Sequence, residues 1–99
     1  MARFDLYSGV GSDKGYVVDV QANLLESLAT RVVIPLLPRD RAEAVRDLNP
    51  VVQVGDEDYV VMTQELSAVP RVSLRRKVGS LTDRRDEITR ALDVLLIGF

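Results

Sequence analysis

The 99-residue sequence contains no cysteine and no histidine. Without cysteine there are no disulfides and no thiolate chemistry, and a reducing cytoplasm is the expected location. Without histidine the usual general base near neutral pH and the commonest metal ligand are missing. Nucleophilic triads are thereby excluded, apart from Ser-Lys or Thr variants. Only two lysines are present, Lys14 in a glycine-rich stretch and Lys77 in a basic one, and neither has a paired serine signature. Aromatic residues make up 5% and the net charge is −2, so nucleic acid meets few stacking platforms and no global positive field. No apolar run approaches the ~20 residues that span a bilayer. The opening MARFDLYS has no apolar core of signal-peptide length.

Hydrophobic residues are 46% and charged residues 28%, the balance of an ordinary globular chain. The length fits one domain over residues 1–99 with a modest core, to which a partner subunit would add stability. Ala2 to Tyr7 alternates, with Phe4 and Leu6 on one face, and reads as a half-buried strand. Ser8 to Gly15 holds three glycines and reads as a loop. It is not a phosphate cradle, because no Gly-Lys-Ser/Thr follows and the next segment is strand-like. Tyr16 to Gln21 completes a first hairpin.

Asn23 to Thr30 presents Leu24, Leu25 and Leu28 around Glu26 and is short for a helix. Arg31 to Leu37 is almost continuously apolar, as in a strand buried on both faces. Pro35 within it has no N–H to donate, which predicts a bulge or an unpaired edge. Pro38 to Leu48 is a polar excursion. Pro50 to Thr63 reads as a hairpin around Gly55-Asp56-Glu57-Asp58. Those consecutive acids lack calcium-loop alternation and fit a solvated turn. Gln64 to Ala68 is a short turn or one-turn helix, and Pro70 to Val78 a last strand. The expected core includes Val18, Val33, Ile34, Val52, Val54 and Leu92. Short strands plus one substantial helix make an α+β fold with an antiparallel sheet.

That helix is Thr82 to Phe99. Thr82 is the expected N-cap, and Asp83, Asp86 and Glu87 follow where the helix dipole favours negative charge. Ile88, Ala91, Leu92, Leu95 and Phe99 recur at spacings of three and four and form an apolar stripe. Asp86, Arg90 and Asp93 form the opposite stripe, whose next member is Ile97. An apolar residue therefore falls on the wet side, beside Gly98 and the chain end. Isolated exposed apolar residues are common on protein surfaces. The basic run Arg71, Arg75, Arg76 and Lys77 is the best candidate for a nucleic-acid contact, and it also suits a charged edge strand that discourages sheet-to-sheet pairing.

Read in order, Val18-Asp19-Val20-Gln21, Arg31-Val32-Val33-Ile34-Pro35-Leu36, Pro50-Val51-Val52 with Val54-Gly55-Asp56-Glu57, Met62-Thr63, Val69-Pro70 and the terminal helix with its penultimate Gly98 resemble the CcdB toxins of bacterial toxin–antitoxin modules. The resemblance covers nearly the whole chain. It implies a small SH3-like β-barrel with a C-terminal helix, assembled as a homodimer. It implies a poison that binds the DNA gyrase A subunit and traps the cleaved-DNA intermediate. It also implies neutralisation by a CcdA-type antitoxin, with operator DNA bound only through the joint complex. By the same resemblance Leu24, Leu25, Asp93, Leu96, Ile97, Gly98 and Phe99 form the gyrase contact, with no catalytic residue and no cofactor. The sequence departs from the family where its chain end typically reads Trp-Gly-Ile: Ile97 replaces the tryptophan and Phe99 the last isoleucine. Ile97 cannot stack on an arginine as tryptophan does. Two alternatives stand beside the poison: a ribonuclease toxin of the MazF-like class that shares this fold, and a diverged, non-toxic relative. A basic, concave RNA surface would mark the ribonuclease, and an apolar chain end marks the binder.

Overall fold

The computed structural model describes residues 1–10 and 15–99. Its strands are β1 (Asp5–Ser8), β2 (Tyr16–Asp19), β3 (Thr30–Pro38), β4 (Val51–Val54), β5 (Glu57–Val61), β6 (Ser67–Pro70) and β7 (Arg76–Ser80), followed by one helix, α1 (Arg85–Leu96). They form one antiparallel sheet in the order β4-β5-β3-β2-β1-β7, with β6 also paired to β3. The sheet curls into a half-barrel that α1 accompanies, the α+β architecture read from the sequence. The glycine-rich loop expected over Ser8 to Gly15 lies in part outside the described residues.

β3 is the axis of the sheet. One side pairs with β2 through Val18↔Ile34 and Asp19↔Val33. The other side has two partners in succession: β6 opposite Thr30 to Val33, then β5 opposite Leu36 to Pro38. Pro35 sits where the partner changes. Its carbonyl accepts from the Met62 N–H (2.9 Å), so the position of its missing N–H faces the junction between β6 and β5. The proline thus costs no ladder bond within a pairing, and in place of the expected bulge or unpaired edge the strand changes partner.

Alternation along the strands sorts the side chains into two faces. Leu6, Val18 and Ile34 stand in register and join Phe4, Val20, Leu36, Val52, Val61, Leu81 and Ile88 in the larger core. Tyr7, Val17, Val33 and Leu74 make a smaller cluster on the opposite face. Val18, Val33, Ile34 and Val52 are buried as expected. Val54 and Leu92 are only half-buried at the rim of the larger core. In α1 the fully buried positions are Ile88 and Ala91, and Leu92 lies a further 100° or so round the helix, at the margin. Ile88→Ala is therefore expected to cost about 2–5 kcal/mol in denaturant unfolding. Leu92→Ala costs clearly less, and equal losses would place Leu92 in the core.

Four local expectations change. β1 begins at Asp5 rather than Ala2, because Phe4 takes a left-handed φ of 74°. Phe4 is held there by its N–H on the Asp19 carbonyl (2.6 Å) and by its carbonyl under the Leu81 N–H (2.8 Å). The single strand read over Pro70 to Val78 is split by a 3-10 turn at Arg71–Ser73. Asn23–Leu25 and Arg39–Arg41 are likewise single 3-10 turns. Thr82 does not cap α1: it opens a 3-10 turn (Thr82–Arg84), and the Ser80 hydroxyl accepts its N–H (3.2 Å). The start of α1 is instead tethered by Arg84, which donates to both Glu87 carboxylate oxygens (2.6 and 2.8 Å) and to the Val51 carbonyl (2.9 Å). The hydrogen bond from Arg84 holds the Glu87 carboxyl below its ordinary pKa.

Candidate functional site

The chain end is built by the way α1 stops. The Ile97 N–H still reaches the Asp93 carbonyl (2.8 Å). The Gly98 N–H reaches the Val94 and Asp93 carbonyls (3.1 and 3.0 Å) with φ at +96°. This is a left-handed helix cap, a conformation that glycine adopts without the penalty of a Cβ. Past it, Phe99 is turned out of the apolar stripe to which its spacing assigned it and is 86% exposed. Leu96 and Ile97 are 68% and 61% exposed, and Asp93 is exposed beside them. Three large apolar side chains thus share one short solvent-facing stretch.

The second part of the predicted site is the connection between β2 and β3. Leu24 is 91% exposed and Leu25 45%. Every residue from 22 to 30 is exposed, so no buried apolar side chain anchors this segment. It is held by hydrogen bonds. The Gln21 side-chain amide donates to the Leu25 carbonyl (2.9 Å), and the Asn23 side-chain oxygen accepts the Arg3 N–H (2.8 Å). Asp93, Leu96, Ile97, Gly98 and Phe99 are contiguous on the surface by their place on one helix end. Leu24 and Leu25 belong to a separate element, and no hydrogen bond joins the two parts among the described residues.

Behind that connection lies a pair that sequence reading missed. Arg31 and Asp19 are wholly buried, and both Nε and Nη2 of Arg31 donate to Asp19 Oδ2 (2.9 and 2.6 Å). The other carboxylate oxygen accepts the Gln21 N–H (3.0 Å). Arg31 Nη1 is buried without a partner. Tyr7 lies close enough to feel these charges. Burial pushes its phenol up first, then the negative charges of Asp5 and Asp19, against the opposing effect of Arg31. The available signal was a lone arginine leading an apolar run and a lone aspartate inside a β-rich one.

A recess of about 620 Å³ opens beside β3, lined in part by Val17, Val33, Pro35, Leu37 and Val69. Among the described residues its charged lining is Asp40, Arg41 and Glu57, two anions and one cation. No cluster of three or more His, Cys, Asp or Glu that could hold a metal ion occurs among the described residues. No helix among them is long and apolar enough to cross a membrane.

The match of the CcdB family model to nearly the whole of this half-barrel and its helix makes the chain a toxin of a toxin–antitoxin system. Residues 3–98 match the model of the CcdB protein family, and the chain belongs to that family. The fold is also similar to two solved structures. The Mycobacterium tuberculosis toxin MazF-mt6 matches with a TM-score of 0.76 at 14% identity, over 90% of this chain and 92% of the other. An endoribonuclease in complex with its cognate antitoxin, from a mycobacterial species, matches with a TM-score of 0.77 at 15% identity, over 100% and 96%. At such identities the likeness is one of fold.

Proposed function

We propose that this toxin acts by binding the DNA gyrase A subunit and trapping the cleaved-DNA complex, with Leu96, Ile97, Gly98 and Phe99 as the contact, supported by Asp93 and by Leu24 and Leu25. The observation that carries this reading is the apolar chain end, held outward by the Gly98 cap in a member of the CcdB family. The protein works as a binder and not as an enzyme, without a cofactor, in the cytoplasm. A CcdA-type antitoxin neutralises it and joins it on operator DNA. The antitoxin-bound endoribonuclease of the same fold supports such a partnership.

The fold likeness to MazF-mt6 raises ribonuclease activity as the second reading. Among the described residues the recess beside β3 speaks against it, since an RNA phosphate chain would meet the carboxylates of Asp40 and Glu57 beside the one cation, Arg41. Expression with and without an overproduced gyrase A subunit from the same organism separates the readings. Growth arrest relieved by extra gyrase A is expected. Arrest unaffected by gyrase A and accompanied by degraded bulk RNA would establish the ribonuclease, and no arrest at all would identify a diverged, non-toxic relative.

The active form is a homodimer related by a two-fold axis, the commonest arrangement for such chains. A small domain with this much exposed apolar surface gains stability by covering part of it. Light scattering at micromolar concentration is expected to give a mass near twice the 11.0 kDa of one chain. A mass near 11.0 kDa would contradict the dimer.

A further inference from the structure

We propose that Gln21 is a positioning residue for the partner-binding surface: its buried amide fixes the conformation in which the β2–β3 connection presents Leu24 and Leu25. The inference rests on the gyrase-binding reading for its partner and on the geometry below for its mechanism.

The connection has no apolar anchor, since residues 22 to 30 are all exposed. Its internal bonds are single turns: Leu25 N–H to Ala22, Glu26 N–H to Asn23 and Leu28 N–H to Leu25 carbonyls (2.9, 3.1 and 3.1 Å). Such turns do not persist alone in water, because one hydrogen bond does not offset the ordering of several residues. The Arg3 N–H on Asn23 and the Arg71 N–H on the Ala29 carbonyl tie the two ends of the segment, and Gln21 supplies the tie from the sheet to Leu25 itself. Its side-chain oxygen accepts the Val32 N–H of β3 (3.1 Å) while its side-chain nitrogen donates to the Leu25 carbonyl (2.9 Å). The two partners fix the amide's orientation, because a backbone N–H requires the oxygen and a carbonyl requires the nitrogen.

Gln21 is itself buried and braced. Its backbone N–H donates to Asp19 Oδ1, and the other oxygen of that carboxylate is gripped by the buried Arg31. A continuous strut therefore runs from Arg31 through Asp19 and Gln21 to the backbone of Leu25, ending beneath the two exposed leucines. Gln21 presents no apolar surface of its own to a partner, so its effect on affinity passes through the loop.

The test uses the full chain carrying Gln21→Glu, which keeps an acceptor for the Val32 N–H and loses the donor to Leu25. Gln21→Met, which removes both bonds at similar length, is the second variant. Val33→Ala, in the smaller core cluster, controls for general destabilisation. Amide hydrogen exchange of residues 23–28 in the free protein reads loop order, and titration calorimetry against the gyrase A subunit reads affinity. Both Gln21 variants are expected to raise exchange across 23–28 and to weaken binding about tenfold, while Val33→Ala does neither at matched folded fraction. Wild-type binding with unchanged affinity in the Gln21 variants would overturn the inference. An equal loss in Val33→Ala would reduce Gln21 to a stabilising role and overturn it too. A wild type that does not bind gyrase would refute the gyrase reading instead, and unchanged exchange at 23–28 in the variants would refute the positioning role on its own.

Discussion

Deleting Ile97, Gly98 and Phe99 is expected to abolish detectable gyrase binding while leaving the domain folded. The larger core lies elsewhere, on Ile88 of the helix and on the sheet residues packed with it, and Ala91 is buried well before the chain end. The deletion removes the cap bonds onto Asp93 and Val94, whose carbonyls return to water, a loss of about 1 kcal/mol. In a domain of this size that lowers the melting temperature by about 4–8 °C. Burying Ile97 and Phe99 against a partner contributes about 1.5–3 kcal/mol each. Losing both weakens binding by about 10²- to 10⁴-fold. The same comparison bears on the replaced tryptophan. A tryptophan anchor is worth about 2 kcal/mol or more, so Ile97→Trp is expected to tighten binding. Titration calorimetry paired with thermal melts reads both quantities. A truncated protein that still binds, or one that fails to fold, would move the site away from the chain end.

Arg31→Ala is expected to be the most damaging single substitution in the fold. It would leave Asp19 buried and charged with only the Gln21 N–H as a partner. Breaking a buried pair from one side costs about 3–5 kcal/mol, against about 5–15 kcal/mol for the whole stability of a domain. Chemical denaturation would show a midpoint shifted to much lower denaturant, or no cooperative transition. The pair itself contributes little net stability, because the desolvation of both ions offsets their attraction, and Arg31 Nη1 remains an unpartnered donor. Replacing both residues, as in Asp19→Asn with Arg31→Met, is therefore expected to cost less than Arg31→Ala alone. A double variant worse than the single one would show that the pair stabilises the fold beyond neutralising itself.

Much of this organisation was legible in local pattern. The apolar stripe placed Ile88 and Ala91 inward, and the polar stripe placed Ile97 outward beside Gly98. Phe99 was misassigned to the inner stripe because periodicity assumes that the helix continues, whereas α1 ends at Leu96 and the Gly98 cap turns the chain away. Thr82 had the right chemistry for a cap, but Ser80 and a 3-10 turn take up the chain first. Pro35 was read as a bulge or an unpaired edge, whereas the sheet topology places it opposite Val17 on one side and between two successive partners on the other. The Asp19–Arg31 pair was invisible for a different reason. Asp19 stands opposite Val33, so the ion pair is diagonal across β2 and β3 and depends on their register. Composition and spacing within one strand carry no register, and the role of Gln21 was hidden by the same limit.

The most direct test of the central claim is a cleavage assay with purified components. Gyrase, supercoiled plasmid and the protein are incubated, the reaction is stopped with denaturant, and linear DNA is quantified. The account predicts linear DNA that accumulates with the full chain and is absent with the protein lacking Ile97–Phe99. Linear DNA at the level of gyrase alone, with bulk RNA cleaved by the same preparation, would contradict it.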